Sequence, residues 1–313
     1  MRILVTGARG KIGSATIHRL SLAGHDITAV DLAPGVNERG REVPYVRADL
    51  TDAGQAAAVV PGHEVVVHAA ALASPFQSPQ HVVFAQNLLA TYHVLEAAER
   101  SGVRRVVNLS SEAATGITYA TRPFPAHYVP LDEEHPAKPQ DAYSLSKHLG
   151  EQLMDAAVAR SDLTAISLRP TWVQWEGNVE RNLGPVVRAH GEDRDPLFWT
   201  YLMVHDLVDL IALAATADLP GHEVFYAAGP DNAAGRPLHD LVRRHYGDEI
   251  ELRPVERPDA SGISWAKATQ LLGWWPTRSW RDFLDTDGRL LPAVAQRLAA
   301  GETGVQRGLY AIS

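Results

Sequence analysis

The chain has no cysteine in its 313 residues. Disulfides, a thiolate nucleophile and Cys-type zinc sites are therefore excluded. Lysine is nearly as scarce, standing only at positions 11, 138, 147 and 267. With a net charge of −8 and no basic run, a nucleic-acid-binding role is not expected. No apolar stretch approaches the roughly 18 residues of a membrane-spanning helix, so no membrane partner is expected. Internal repeats of about 20–50 residues and low-complexity segments are absent too. Met1-Arg2 leads directly into a β-branched run with no signal-peptide pattern, which predicts a soluble cytoplasmic protein. What remains is ordinary: 45% apolar residues on a chain long enough to bury a large core as one large or two interleaved domains.

Short β-branched runs alternate with helical patterns through most of the chain. Arg2–Thr6, Asp26–Val30, Tyr45–Ala48, Glu64–His68, Arg105–Leu109, Thr164–Pro170 and Glu223–Ala228 read as strands. Ala15–Leu22, a segment from about Ala53, Val82–Arg100, Ala142 to about Arg160, Leu238–Tyr246 and a short stretch ending at Leu272 read as helices. Trp280–Leu284 starts a further helix, Leu290–Ala300 has helical character, and 301–313 is a tail without assignment. The alternation predicts an α/β fold, a doubly wound parallel (Rossmann) sheet with a smaller C-terminal substrate lobe. Residues 1–171 plus about 200–229 are expected to form the nucleotide domain. About 172–199 plus 230–313 would form the lobe.

Three motifs carry chemistry. Gly7-Ala-Arg-Gly10-Lys-Ile-Gly13 lies between the first strand and the first helix. Glycines there permit a tight turn and close approach of a pyrophosphate to the helix N-terminus. Their G-x-x-G-x-x-G spacing differs from the general G-x-G-x-x-G fingerprint. Asp31 ends the second strand, 18 residues after Gly13. A carboxylate there binds ribose hydroxyls and repels a 2′-phosphate, predicting NAD over NADP; Arg9 in the turn argues the other way. Tyr143 and Lys147 are i and i+4 and share a helix face. A fixed ammonium one turn away should lower the phenol pKa, making Tyr143 a base for a substrate hydroxyl. Taken alone, this pair is often only a surface helix pair. It gains meaning from the glycine turn and the strand-end Ser110-Ser111.

Together these motifs resemble the short-chain dehydrogenase/reductase superfamily, in particular its extended branch, the NAD-dependent epimerase/dehydratase family. The resemblance runs from Met1 to about Leu284. It implies that Ser111, five residues before Gly116, hydrogen-bonds the reacting oxygen, that Tyr143 is the base, and that Lys147 holds the nicotinamide ribose. It further implies cofactor contacts from Gly7, Gly10, Lys11, Ile12 and Gly13, from Asp31, and from Asp49-Leu50 at the adenine edge. Ala69-Ala70-Ala71, Asn87 and Pro170 complete that set. Asp49 or Thr51 could instead simply cap the next helix. His68 is read as a buried structural histidine, and Asp132-Glu133-Glu134 as a solvated face. The loop 117–142 is expected to wall the substrate cleft.

Substrate contacts are assigned to Ser74, Ser111, Glu112, Trp172 and Trp199, although aromatic packing is the plainer reading of the tryptophans. No metal site is expected. The family also implies a homodimer acting on a small molecule.

Three departures bear on the reaction. Dehydratases carry an Asp-Glu pair where this chain has Glu112-Ala113, so 4,6-dehydration is not expected. Trp199-Thr200 replaces an Arg-Asp pair whose arginine binds a diphosphate; Arg181, Arg188 or Arg194 could substitute. Thr115 stands where an aromatic precedes Gly116. The reaction expected is oxidation of a carbinol of a sugar or sugar nucleotide with return of the hydride, as in an epimerase. The alternatives are a net dehydrogenase or ketoreductase on a free sugar or secondary-metabolite alcohol, and a non-catalytic nucleotide sensor.

Overall fold

The computed structural model describes residues 1–33 and 43–301. The tail expected at 301–313 lies, from residue 302 on, outside the described residues. In chain order come β1 (Arg2–Thr6), α1 (Lys11–Leu22), β2 (Asp26–Asp31), β3 (Tyr45–Arg47), α2 (Ala53–Val59), β4 (Val65–His68), α3 (Gln80–Ser101) and β5 (Arg105–Leu109). Then follow β6 (Tyr128–Val129), α4 (Ala142–Arg160), β7 (Thr164–Pro170), β8 (Val173–Gln174), α5 (Val179–Ala189), β9 (Leu202–Met203) and α6 (Val204–Thr216). The chain continues with β10 (His222–Ala227), α7 (Leu238–Tyr246), β11 (Glu251–Leu252), α8 (Ala266–Leu272) and α9 (Pro292–Ala299).

Seven strands form one parallel sheet in the order β10-β7-β5-β4-β1-β2-β3. The order reverses beside β1, which pairs with β2 on one side and β4 on the other. A doubly wound sheet binds its ligand at that switch point, outside the carboxyl ends of the strands. β4 and β5 are buried along their whole length. That is why neither shows a strict alternation of apolar and polar residues.

The chain divides into two compact units. The first comprises Met1–Thr121, Ala137–Arg169 and Val208–Phe225. Its core joins Leu4, Val66 and Val106 of the sheet to Val94, Leu95 and Ala98 of α3 and Met154 and Ala157 of α4. Small residues let these helices lie close; a Cβ on Gly150 would sit 3.9 Å from Thr91 Cγ2. Arg105, wholly buried, donates to Thr164 Oγ1 and to the carbonyls of Ala217 and Leu219 just beyond α6. Its charge is thus spent on carbonyls left open where that helix ends.

The second unit comprises Arg122–Pro136, Pro170–Leu207 and the chain from Tyr226 on. Its core gathers Val179, Leu183 and Val187 of α5 with Tyr201, Met203, Trp280 and Phe283. α5 approaches the backbone so closely that a Cβ on Gly184 would meet Gly288 O at 2.4 Å. The Tyr201 hydroxyl donates to the buried Asp231, whose carboxyl is pushed up by burial.

Three expectations are corrected. The helix expected to start at Trp280 is one 3-10 turn, Trp280–Asp282, closed by a Ser279/Asp282 capping box. The stretch 117–142 is not one structureless loop, because Arg122–Pro136 belongs to the second unit, where β6 pairs in parallel with β11. The acidic run within it is not merely a solvated face. Asp132 accepts from the Tyr128 hydroxyl and Arg253, and Glu133 accepts from the Tyr226 N–H. Among the described residues no helix is long and apolar enough to cross a membrane.

Candidate active site

The glycine turn is shaped by what it excludes. Gly7 has φ +65, and a Cβ there would lie 2.7 Å from the Ala69–Ala70 backbone. A Cβ on Gly13 would lie 2.1 Å from Gly7 O, and one on Gly10 3.1 Å from the same oxygen. Gly10 caps α1 without any side-chain hydrogen bond. The positive end of the helix dipole, with no side chain capping it, suits an anion. This cradle fits the pyrophosphate of a dinucleotide. Lys11 is exposed and Ile12 half-buried at the same end.

Asp31 stands at the end of β2. Its carboxylate accepts from the Arg9 N–H at 2.9 Å and the Ala33 N–H at 3.1 Å. Two of about four acceptor positions remain for ribose hydroxyls. Asp49 is turned inward on Thr51, accepting from its N–H at 2.9 Å and its hydroxyl at 2.7 Å. The cap of α2 is neither Asp49 nor Thr51 but Asp52, which accepts from Gln55 N–H at 3.0 Å. Leu50 packs in the core, with its carbonyl 3.2 Å from His93 Nδ1.

At the end of β4, Ala69 and Ala70 abut the glycine turn, and Ala71 is exposed. His68 is buried and linked at both ring nitrogens. Thr6 Oγ1 lies 2.9 Å from Nδ1, and Thr91 Oγ1 lies 3.2 Å from Nε2. Burial drives its pKa down to about 3, so the ring is neutral, as a structural histidine should be. Asn87 is buried too. It accepts from Leu72 N–H, and its amide nitrogen donates to Leu72 O and Ser146 Oγ. Ser146 in turn donates to Tyr143 O. One asparagine thereby ties the loop after β4 to the tyrosine's own backbone.

The strand-end serines separate by face. Ser110 Oγ donates to Glu151 Oε1 at 2.6 Å behind the site. Ser111 faces Tyr143, where it acts to lower the phenol pKa, and its Oγ accepts from Ala113 N–H at 3.2 Å. Asp141 caps α4 by accepting from Ser144 N–H, placing Tyr143 in the first turn. Lys147 Nζ lies 5.8 Å from the centre of the Tyr143 ring and donates to Leu109 O at 2.6 Å.

One electrostatic expectation is overturned. The Tyr143 phenol is raised, not lowered: burial dominates, Ser111 offsets part of it, and the Glu112 carboxylate adds to it. Lys147 does not reverse this, because its ammonium is turned to the Leu109 carbonyl. Desolvation pulls Lys147 itself down to about 8, with Glu151 opposing. In this state Tyr143 is a phenol.

Glu112 is buried, and its Oε2 accepts from the Thr118 hydroxyl at 2.5 Å. Ser74 Oγ accepts from Phe76 N–H at 3.1 Å in a local turn. Two residues not singled out from sequence complete this region. The Tyr119 ring stands edge-on to Tyr143 at 6.1 Å, and Phe76 stands edge-on to Tyr119 at 5.8 Å, itself 82% exposed. The aromatic missing at Thr115 is thus replaced from four residues further on. The exposed phenylalanine in a polar loop was the available signal.

Pro170 ends β7, and Trp172 and Trp199 lie in the second unit. Trp172 is 41% exposed. Trp199 is buried against His245 at 5.5 Å, the packing role that was the plainer alternative to substrate contact. A Ser-His-Asp geometry occurs apart from all this: His222 lies 2.9 Å from Ser167 Oγ and 2.7 Å from Asp155 Oδ1. Ser167 is wholly buried inside β7, so no substrate reaches it. Among the described residues no cluster of three His, Asp or Glu could hold a metal.

Known proteins are similar to this chain. The UDP-glucose 4-epimerase of Mycolicibacterium smegmatis is 30% identical over 305 residues, 88% of this chain and 94% of the relative. The uronate dehydrogenase of Pseudomonas putida is 25% identical over 227 residues, 72% of this chain and 76% of the relative. The solved structure of MoeE5 in complex with UDP-glucose and NAD has 24% identity and a TM-score of 0.70. It covers 96% of this chain and 100% of that one. At that identity it shows the fold. The model of the NAD dependent epimerase/dehydratase family matches residues 3–227, most of the chain. With cradle, serine, tyrosine and lysine in place, the protein is an enzyme of the NAD-dependent epimerase/dehydratase family, an extended short-chain dehydrogenase/reductase whose cofactor is NAD.

Proposed function

We propose that the protein oxidises a carbinol of a sugar or sugar nucleotide and returns the hydride to the other face, an epimerase-type reaction. The observation that carries this reading is the placing of Lys147 Nζ 5.8 Å from the centre of the buried Tyr143 ring, one helical turn on, beside the strand end that carries Ser111. When bound, NAD supplies the hydride acceptor. Ser111 holds the reacting oxygen, and Tyr143 takes the hydroxyl proton as the carbon loses hydride, a step that requires it first to give up its own proton and act as the phenolate. On the return, Tyr143 is the acid that gives the proton back. The raised phenol favours this half of the cycle. Lys147 spends one of its three donors on Leu109 and keeps the others for a ribose. Ala113 has no carboxylate to serve as the base for a 4,6-elimination.

NAD binding is assigned to the first unit and substrate recognition to the second, with Trp172 as a candidate contact. A homodimer would cover Leu89 and Tyr92 of α3 and Leu145 of α4, which are exposed.

A second reading is favoured by Trp199. It is buried where sugar-nucleotide members carry a diphosphate-binding arginine. A net NAD-dependent dehydrogenase on a free sugar or hydroxylated metabolite fits that substitution.

The test is a panel of nucleotide sugars, free sugars and hydroxylated metabolites with added NAD. NADH absorbance is followed while products are identified by mass and NMR. Isomerised product without accumulated NADH supports the epimerase, and stoichiometric NADH with an oxidised product supports the dehydrogenase. In either case Tyr143→Phe should lower kcat by about 100-fold or more. Full turnover by that variant would refute the role of Tyr143.

A further inference from the structure

Behind the site lies a charge pair that the reaction does not use directly. Arg169 at the end of β7 grips Glu151 of α4 with both arms, Nε to Oε1 at 2.8 Å and a terminal nitrogen to Oε2 at 2.7 Å. Ser110 donates to the same Oε1 at 2.6 Å. All three side chains are buried. Replacing such a pair by apolar residues often costs nothing in stability, so a fully buried one calls for another account. Glu151 is four residues after Lys147 and eight after Tyr143, on the same face of α4. Ser110 is the residue beside Ser111, and Leu109, beside it in turn, receives the Lys147 ammonium.

We infer that Glu151 is a positioning residue that keeps Lys147 charged at the active site. Arg169 and Ser110 hold its carboxylate in place. The inference rests on reading Lys147 as the ammonium that serves Tyr143 and the cofactor. Lys147 is half-buried and pulled down by desolvation to about 8, and the carboxylate one turn on is what opposes that fall.

The other groups around it do not supply the missing negative charge. His68 on β4 is neutral. Arg169 on β7 is positive, and Tyr143 on α4 is a phenol. Glu112 and Asp141 act on Tyr143 rather than on Lys147. Asn87 and Thr91, which α3 presents here, carry no charge.

Because the chain has only four lysines, this can be read directly. Full-length protein labelled with 13C at lysine Cε is titrated by NMR, and Lys147→Arg identifies the signal. Wild type should titrate near 8. E151Q leaves Arg169 unopposed and should lower the midpoint by about one unit, tenfold in the ionisation constant. R169Q leaves the carboxylate unopposed and should raise it.

Merely disturbing the packing would move both variants the same way. The double variant E151Q/R169Q buries no lone charge, which protects its folding, and should fall below wild type by about half a unit. A midpoint unmoved in the folded double variant overturns the inference, as do equal-signed shifts in the two single variants. The titration needs neither substrate nor NAD, so failure of the proposed reaction and failure of this inference are separate results.

Discussion

Gly13→Ala should cripple NAD binding while leaving the fold intact. The added Cβ would stand 2.1 Å from Gly7 O and 2.8 Å from Gly7 C, and both are backbone atoms that cannot swing away. Ordinary contact starts at 3.4 Å, so the turn and the first turn of α1 must part by more than 1 Å. A hydrogen bond of normal length does not survive a shift of that size. A charge-assisted bond from backbone to phosphate contributes about 1.5–3 kcal/mol. Losing one or two of them weakens binding by roughly 10- to 20,000-fold.

Two companions bracket this effect. Gly10→Ala meets Gly7 O at 3.1 Å, a few tenths too close, and should cost less than about fivefold. Gly24→Ala, at φ +81 with nothing within 4 Å, should lower stability by about 1–2 kcal/mol and leave NAD affinity alone. Calorimetric titration with NAD measures affinity, and thermal unfolding confirms the fold. A folded Gly13→Ala protein binding NAD within about twofold of wild type would refute the cradle.

Two further outcomes follow from single residues. Asp31→Ala removes the charge that repels a 2′-phosphate, so the NADP-to-NAD affinity ratio should rise about tenfold or more; an unchanged ratio in equilibrium titrations would sink the cofactor argument. His68 has its folded pKa depressed from 6.5 to about 3. The unfolded chain therefore binds the extra proton, and stability present above pH 6.5 is lost as pH falls toward 3. Denaturant unfolding at pH 7 and pH 4.5 should show a loss of roughly 2–3 kcal/mol from this group. His68→Gln, less stable at pH 7, should lack that increment; an equal acid loss in both proteins would show that His68 is not its source.

Local periodicity made much of the fold legible. Arg105–Leu109, Ala142–Arg160 and Leu238–Tyr246 were readable to the residue, because each has a clear boundary or an unbroken pattern. Ser111, Tyr143 and Lys147 were readable because two share a helix face and the third ends a strand. Tyr119 and Phe76 were not, since a loop has no period to say where its rings point. The Tyr143 phenol was misjudged for a related reason. Spacing gives the nearness of Lys147, but not the burial that outweighs it, nor the Leu109 carbonyl that draws the ammonium aside. Trp280–Leu284 looked helical because its apolar spacing suits one turn, and the capping box that closes it lies in the same few residues.

The uncapped start of α1 has a consequence for the protein's lifetime. A helix capped by glycine gives up about a few tenths of a kcal/mol that Ser, Thr, Asp or Asn would contribute at Gly10. On the proposed binding of NAD at this turn, the dinucleotide would complete the fold as well as the chemistry. At a free NAD concentration about 100 times the dissociation constant, the folded state gains roughly 2.7 kcal/mol. Local opening at the edge of the sheet, and with it proteolysis, becomes correspondingly rarer. The abundance of this enzyme in a cell should therefore follow the dinucleotide pool even where its catalytic turnover does not.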